Sequence, residues 1–131
     1  MRTQPIHADR YWNDTGLDLV ANERYRVSVV PGAGEPLRDA SFEARSIAGE
    51  DWKSLPHKTA GLLHGKRVDH ARWFALIGTI DRKHPWIITE EGVFTAPASG
   101  RLYCFFNDVA WEIFYRNNKG WVVLEVEPVP A

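Results

Sequence analysis

The chain has 131 residues, 44% hydrophobic and 25% charged, with a net charge of −1. That length suits one domain, 1–131, whose core needs no metal or disulfide support. The near-neutral balance gives no electrostatic basis for nucleic-acid binding, and no apolar run approaches a membrane span.

Met1 to Arg10 is polar and reads as a frayed end or a short edge strand, without the apolar segment of a secretory signal. The expected location is therefore cytoplasmic as synthesised, with export by a non-classical route as the alternative. Asn13-Asp14-Thr15-Gly16 is a turn cluster, and Leu17–Val20 alternates briefly. Tyr25, Val27 and Val29 alternate with Arg24, Arg26 and Ser28, the pattern of a half-buried strand. Pro31 to Pro36 ends it. Leu37 to Ala44 is another strand candidate. Periodicity then fails around 45–69, a long irregular insertion anchored by Trp52, Leu62 and Leu63. Arg72 to Ile80 is almost continuously apolar and predicts a strand buried on both faces. Trp86–Ile88 and Val93–Ala96 are shorter strands, with His84-Pro85 in the turn before them. Gly100–Phe106 and Trp121–Glu127 close the series. About eight short strands separated by turns, with no amphipathic helix, predict an all-β antiparallel β-sandwich of jelly-roll type. Alternation places Val27, Val29, Ile77, Leu102, Cys104, Leu124 and Val126 in its core.

The single cysteine, Cys104, excludes an internal disulfide and reads as a buried, inert thiol. His57, His64, His70 and Asp69 match no zinc spacing, and solvated loop histidines are the plainer reading. No serine sits in a nucleophile elbow and no glycine-rich loop joins a strand to a helix, so neither a hydrolase nor a nucleotide site is expected. Asp108 with Glu112 could in principle form a catalytic carboxylate pair, but two unrelated acids are by far the plainer reading. Six Trp, six Phe and four Tyr exceed what a core of this size requires, leaving rings such as Trp52, Trp111 and Trp121 for a ligand or a second core. Asn107 to Gly120 gathers one aspartate, three asparagines and a glycine near three bulky aromatics. Oxygen donors on a rigid sheet suit calcium or a sugar, whereas Asn117-Asn118-Lys119-Gly120 is also an ordinary hairpin turn.

Several pieces in order resemble the galactose-specific calcium lectins of the Pseudomonas PA-I type. They are Thr15-Gly16-Leu17, Tyr25-Arg26-Val27, Arg72 to Gly78, Ser99 to Tyr103, Asn107-Asp108 and Tyr115 to Gly120. The resemblance spans about Trp12 to Val126 and implies a galactose-binding-like sandwich. It implies calcium held by Asp108, Asn117 and Asn118, and a sugar touched by His57, Asp108 and Asn117; Trp111, among the surplus aromatics, is the expected ring face for the sugar. In the stretch His57-Lys58-Thr59-Ala60-Gly61-Leu62 the His and Gly-Leu match the family, while Lys58 and Ala60 replace its Pro and Gln. Extra residues also separate Asp108 from the Asn pair, and Phe114 falls where the family has a metal-binding Thr.

Two paths are open between those residues. A bent loop from Val109 to Arg116 would bring Asp108 to Asn117 and Asn118. A strand over Trp111–Arg116 would span about 20 Å and separate them; the extra residues make this strand feasible, and it is the expected path. The expected function is a non-catalytic, lectin-like carbohydrate-binding protein, calcium-assisted and galactose-type. The alternative is a protein-interaction or self-assembly module on the same fold, with a homo-oligomer as its product.

Overall fold

The computed structural model describes residues 1–39, 42–50, 66–108 and 112–130. Their strands are β1 (Ile6–His7), β2 (Asn13–Leu19), β3 (Arg24–Val29), β4 (Glu35–Asp39), β5 (Phe42–Ala44), β6 (Leu76–Ile80), β7 (Lys83–Ile87), β8 (Val93–Thr95), β9 (Gly100–Phe106), β10 (Asn118–Val122) and β11 (Leu124–Pro128). All their pairings are antiparallel. The strand orders are β2-β9-β6-β7, β1-β10-β4-β5 and β11-β3-β8. No sheet closes on itself, and the architecture is the expected antiparallel β-sandwich. β10 passes into β11 through Val123, whose carbonyl accepts a hydrogen bond from Val30, so the two smaller orders are linked along one strand path.

One buried cluster draws on all three sheets: Ile6, Val27, Leu37, Leu76, Ile80, Leu102, Cys104, Phe106, Val122, Leu124 and Val126 belong to it. Alternation explains these positions, because successive strand residues point to opposite faces. Each fully buried aliphatic side chain contributes about 1.5–3 kcal/mol relative to exposure. Val29, expected in the core, is only partly buried and packs against its margin. Ile77 is buried on the other face of β6, with Val68, Ala71, Ala75 and Phe105. β6 is therefore covered on both sides, as its apolar run predicts.

The structure differs from the sequence reading in several places. The turn cluster Asn13–Gly16 lies inside β2, where the register shifts between Asp14 and Asp18 and Gly16 takes φ of 80°. The regular strand expected from Arg72 begins only at Leu76. Before it, Trp73 makes an isolated bridge to Glu50 and Phe74 takes φ of 61°. The turn expected at His84-Pro85 lies inside β7, an edge strand, where a missing N–H is tolerated. The strand Leu37–Ala44 is instead β4 and β5, paired antiparallel with Asp39 opposite Phe42. In the irregular region, Ile47 enters the main core and Arg45 pairs with Glu50 at 3.0 Å; residues 51–65 lie outside the described set.

Candidate functional site

β9 delivers Asn107 and Asp108 at its C-terminal end, and β10 begins at Asn118. Between them Glu112–Tyr115 is a 3-10 helix, not the strand expected over Trp111–Arg116. The physical reason is Tyr115. Its side chain is completely buried, and its hydroxyl donates to the Phe106 carbonyl at 2.8 Å. Nine residues of extended chain would carry Tyr115 roughly 30 Å from Phe106. Burying the ring and satisfying its hydroxyl therefore require the chain to turn back. The ring packs edge-on against Tyr11 at 5.3 Å, and Arg67 donates to its hydroxyl at 3.3 Å. Burial pushes the phenol's pKa upward, so it remains a donor through neutral pH.

Asn107 anchors the elbow from its other side. Its amide donates to the carbonyls of Val68, Ala71 and Arg72, and its side-chain oxygen accepts from Val68 N. Phe74 N also donates to the Asn107 carbonyl at 2.7 Å. The segment 68–74 is thus wrapped around one asparagine, which is why it does not extend β6. Next in sequence, the Asp108 carbonyl accepts from Arg67 N at 2.7 Å.

With the elbow closed, Asn118 Nδ2 donates to Asp108 Oδ2 at 2.7 Å and to the Ala8 carbonyl at 3.2 Å. Both side chains are buried. Asn118 Oδ1 is buried without a hydrogen-bond partner. Asp39 is fully buried too, and is the ladder partner of Asn118. Two buried carboxylates are thus tied to Asn118, Asp108 by a hydrogen bond and Asp39 by ladder register. Among the described residues no three His, Cys, Asp or Glu side chains form a metal cluster. The donor chemistry is carboxylate and amide oxygen, which fits calcium rather than a soft transition metal.

Of the residues expected to bind metal, Asp108 and Asn118 are brought together. Asn117 occupies the exposed turn beside them. His57 and Trp111, expected to touch a sugar, lie outside the described residues. Asp39 was missed, although its sequence parity with Leu37 puts a charge on the apolar face of β4. Tyr115 was read as one face of a strand, and nothing local marks it as the elbow's anchor.

On the outward face of β10, the His7 and Trp121 rings lie 5.5 Å apart, centroid to centroid. They border an open depression of about 220 Å³, lined also by Asp9, Glu35, Asn118 and Lys119. Partial burial, helped by the nearby charge of Arg10, lowers the His7 pKa, which favours the neutral imidazole at pH 7.

No protein-family model matches the sequence, and no curated protein matches it. Among solved structures, the chain is similar to a protein described as the EclA N-terminal domain, a PllA-like lectin. Identity is 18%, the TM-score is 0.66, and the match covers 98% of this chain and 97% of the other. The likeness is one of fold along nearly the whole length.

Proposed function

We propose that this protein is a non-catalytic, lectin-like carbohydrate-binding domain in which the 107–118 elbow holds a calcium ion. The observation that carries the reading is the meeting of Asp108 and Asn118 beside a buried, unpartnered amide oxygen. The likeness in fold to a lectin supports it. The Asp108 carboxylate, Asn118 Oδ1 and Asn117 would hold the ion. Calcium, when bound, supplies open coordination positions that vicinal sugar hydroxyls can occupy. The remaining features belong to the chain itself. Tyr115 and Asn107 fix both ends of the elbow, so its oxygens are preorganised rather than recruited from a mobile loop. Asn117 is exposed, where it can meet a ligand, while Asp108 and Asn118 lie behind it. Trp121 and His7 offer ring faces for sugar C–H surfaces in the adjoining depression. Galactose-type sugars are the first ligands to test, and a glycan is the expected partner.

The test is a glycan array followed by calorimetry, each with calcium and with EDTA. The expected outcome is binding that EDTA abolishes and Asp108→Asn weakens at least tenfold. EDTA-resistant binding that Trp121→Ala removes would retain the sugar and reject the ion. No glycan binding together with no calcium-dependent shift in melting temperature would overturn the reading.

The rival reading, a self-assembly module, has one specific observation in its favour. Ile113 is 60% exposed on the elbow, and Ile87 and Val93 are 40% and 41% exposed on β7 and β8. These two strands terminate their sheets, where unpaired backbone can receive another chain. A concentration-dependent sedimentation profile, lost in Ile87→Lys, would favour it.

A further inference from the structure

A second cavity lies on the outer face of the β2-β9-β6-β7 sheet, next to the elbow, whose Asp108 carbonyl and Tyr115 hydroxyl both accept from Arg67. It measures about 160 Å³ and is lined by Trp12, Arg67, Val68, Thr79, Arg82, Pro85 and Phe105. Among the described residues its charges are all of one sign: two arginines and no carboxylate line it. Arg67 is enclosed by rings. Its guanidinium carbon stands 3.5 Å from the Tyr11 ring centroid, 3.5 Å from Phe105 and 4.3 Å from Trp12. Nη1 donates to the Tyr11 carbonyl and the Tyr115 hydroxyl. Nη2 is buried and has no hydrogen-bond partner. Arg82 sits across the cavity at the β6–β7 turn, 4.9 Å from the Tyr103 ring centroid and 5.6 Å from Trp12. Asp14 and Asp18 both pair with Arg101, at 3.0 and 2.8 Å, and Asp81, beside Arg82 in the same turn, accepts from the Arg101 amide at 3.0 Å.

Guanidinium groups are normally satisfied by carboxylates or phosphates, and an unpaired buried donor is costly. Here the rings fix the position of Arg67 through its faces and leave donor capacity unused. Trp12 stands edge-on to Phe105 at 5.4 Å and to Tyr103 at 6.4 Å, giving the cavity a rigid aromatic wall. We propose that this cavity binds a small organic oxyanion, a carboxylate or a phosphate ester, between Arg67 and Arg82 with its carbon framework against Trp12. The cavity admits the anionic group and a few carbons, not an extended chain.

The experiment titrates the whole protein with glucuronate, glycerol phosphate and chloride at constant ionic strength. It follows the Trp12 indole resonance by NMR and the melting temperature. EDTA is present throughout, so failure of the calcium reading does not affect the outcome. Saturable shifts with one or both oxyanions, absent with chloride and reduced at least tenfold in affinity in Arg82→Gln, are expected; the two oxyanion arms distinguish carboxylate from phosphate. Arg82 is exposed, so Arg82→Gln should leave the melting temperature of the free protein unchanged. Arg67→Lys, which keeps the charge but loses the planar fork, should weaken binding as well. Equal responses to all three salts, no saturation, or identical titrations of wild type and Arg82→Gln would overturn the proposal.

Discussion

Asn107 directs both polar atoms of its side chain into the backbone of residues 68–72. Replacing it with alanine removes the bonds of the Val68 amide and the Ala71 carbonyl, while the Val68 and Arg72 carbonyls keep Ala71 N and Ala75 N, at about 1–3 kcal/mol for each group stranded. Asn107→Ala should therefore lower the denaturation midpoint strongly, and amide exchange at Val68 should accelerate most. Asn118→Ala makes a different prediction. It removes the donor to Asp108 Oδ2 and should cost about 1.5–3 kcal/mol, because the acceptor is a carboxylate. If calcium binds at the elbow, saturating calcium should widen the gap between wild type and this variant; an unchanged gap would leave the amide a purely structural link. Cys104 is a simpler case. Complete burial raises its thiol pKa, so it should resist thiol reagents at pH 8 until the protein unfolds.

The elbow between β9 and β10 is an element held by its ends, through Asn107 and Tyr115. Tyr115→Phe keeps the packed ring and deletes the bond to the Phe106 carbonyl, with an expected loss of about 1 kcal/mol in urea unfolding. The start of β10 has its own constraint. The register against β4 shifts between Lys119 and Trp121, and Gly120 there has φ of 96°. A Cβ at Gly120 would stand 2.2 Å from the Pro36 carbonyl oxygen. Both strain and collision oppose Gly120→Ala, which should destabilise by about 2 kcal/mol or more. Because the bulge also sets Trp121 against His7, the same variant should alter the Trp121 fluorescence before global unfolding. Gly120 was read from the sequence as the end of a hairpin turn; it is the irregular point of a strand.

Across the whole molecule, charge couples stability to pH. The Gly16 amide and Arg101 hold the Asp14 carboxyl below the usual carboxylate range, and Arg45 does the same for Glu50. The His7 pKa is likewise lowered. In each case the folded state binds protons less readily than the unfolded chain. Their stabilisation is therefore fully present above the unfolded values, about 6.5 for histidine and about 4 for carboxylates, and is lost as pH falls through the lowered folded values. The melting temperature should be nearly flat from pH 7 to 8 and decline on acidification. His7→Gln should remove the earlier part of that decline, below about pH 6.5. Asp14 is half-exposed, so its share should shrink in high salt.

The sequence alone determined the sandwich, because alternation reports burial directly: a residue such as Val27 or Leu124 has one face to choose, and its neighbours' polarity chooses it. It also singled out Asp108 and Asn118 as candidate site residues, by residue type and by resemblance. It could not decide whether they meet. That depended on Tyr115, whose burial and bond to Phe106 turn the chain back, and Tyr115 fits a strand equally well when only its neighbours are visible. Asn107 likewise looks like a surface turn residue until segment 68–74 is seen folded around it. Asp39 comes beside Asn118 only through the register of β4 against β10. Such facts rest on pairings between residues far apart in the chain, and tertiary structure alone supplies them, because local periodicity carries no record of which distant backbone a side chain will satisfy.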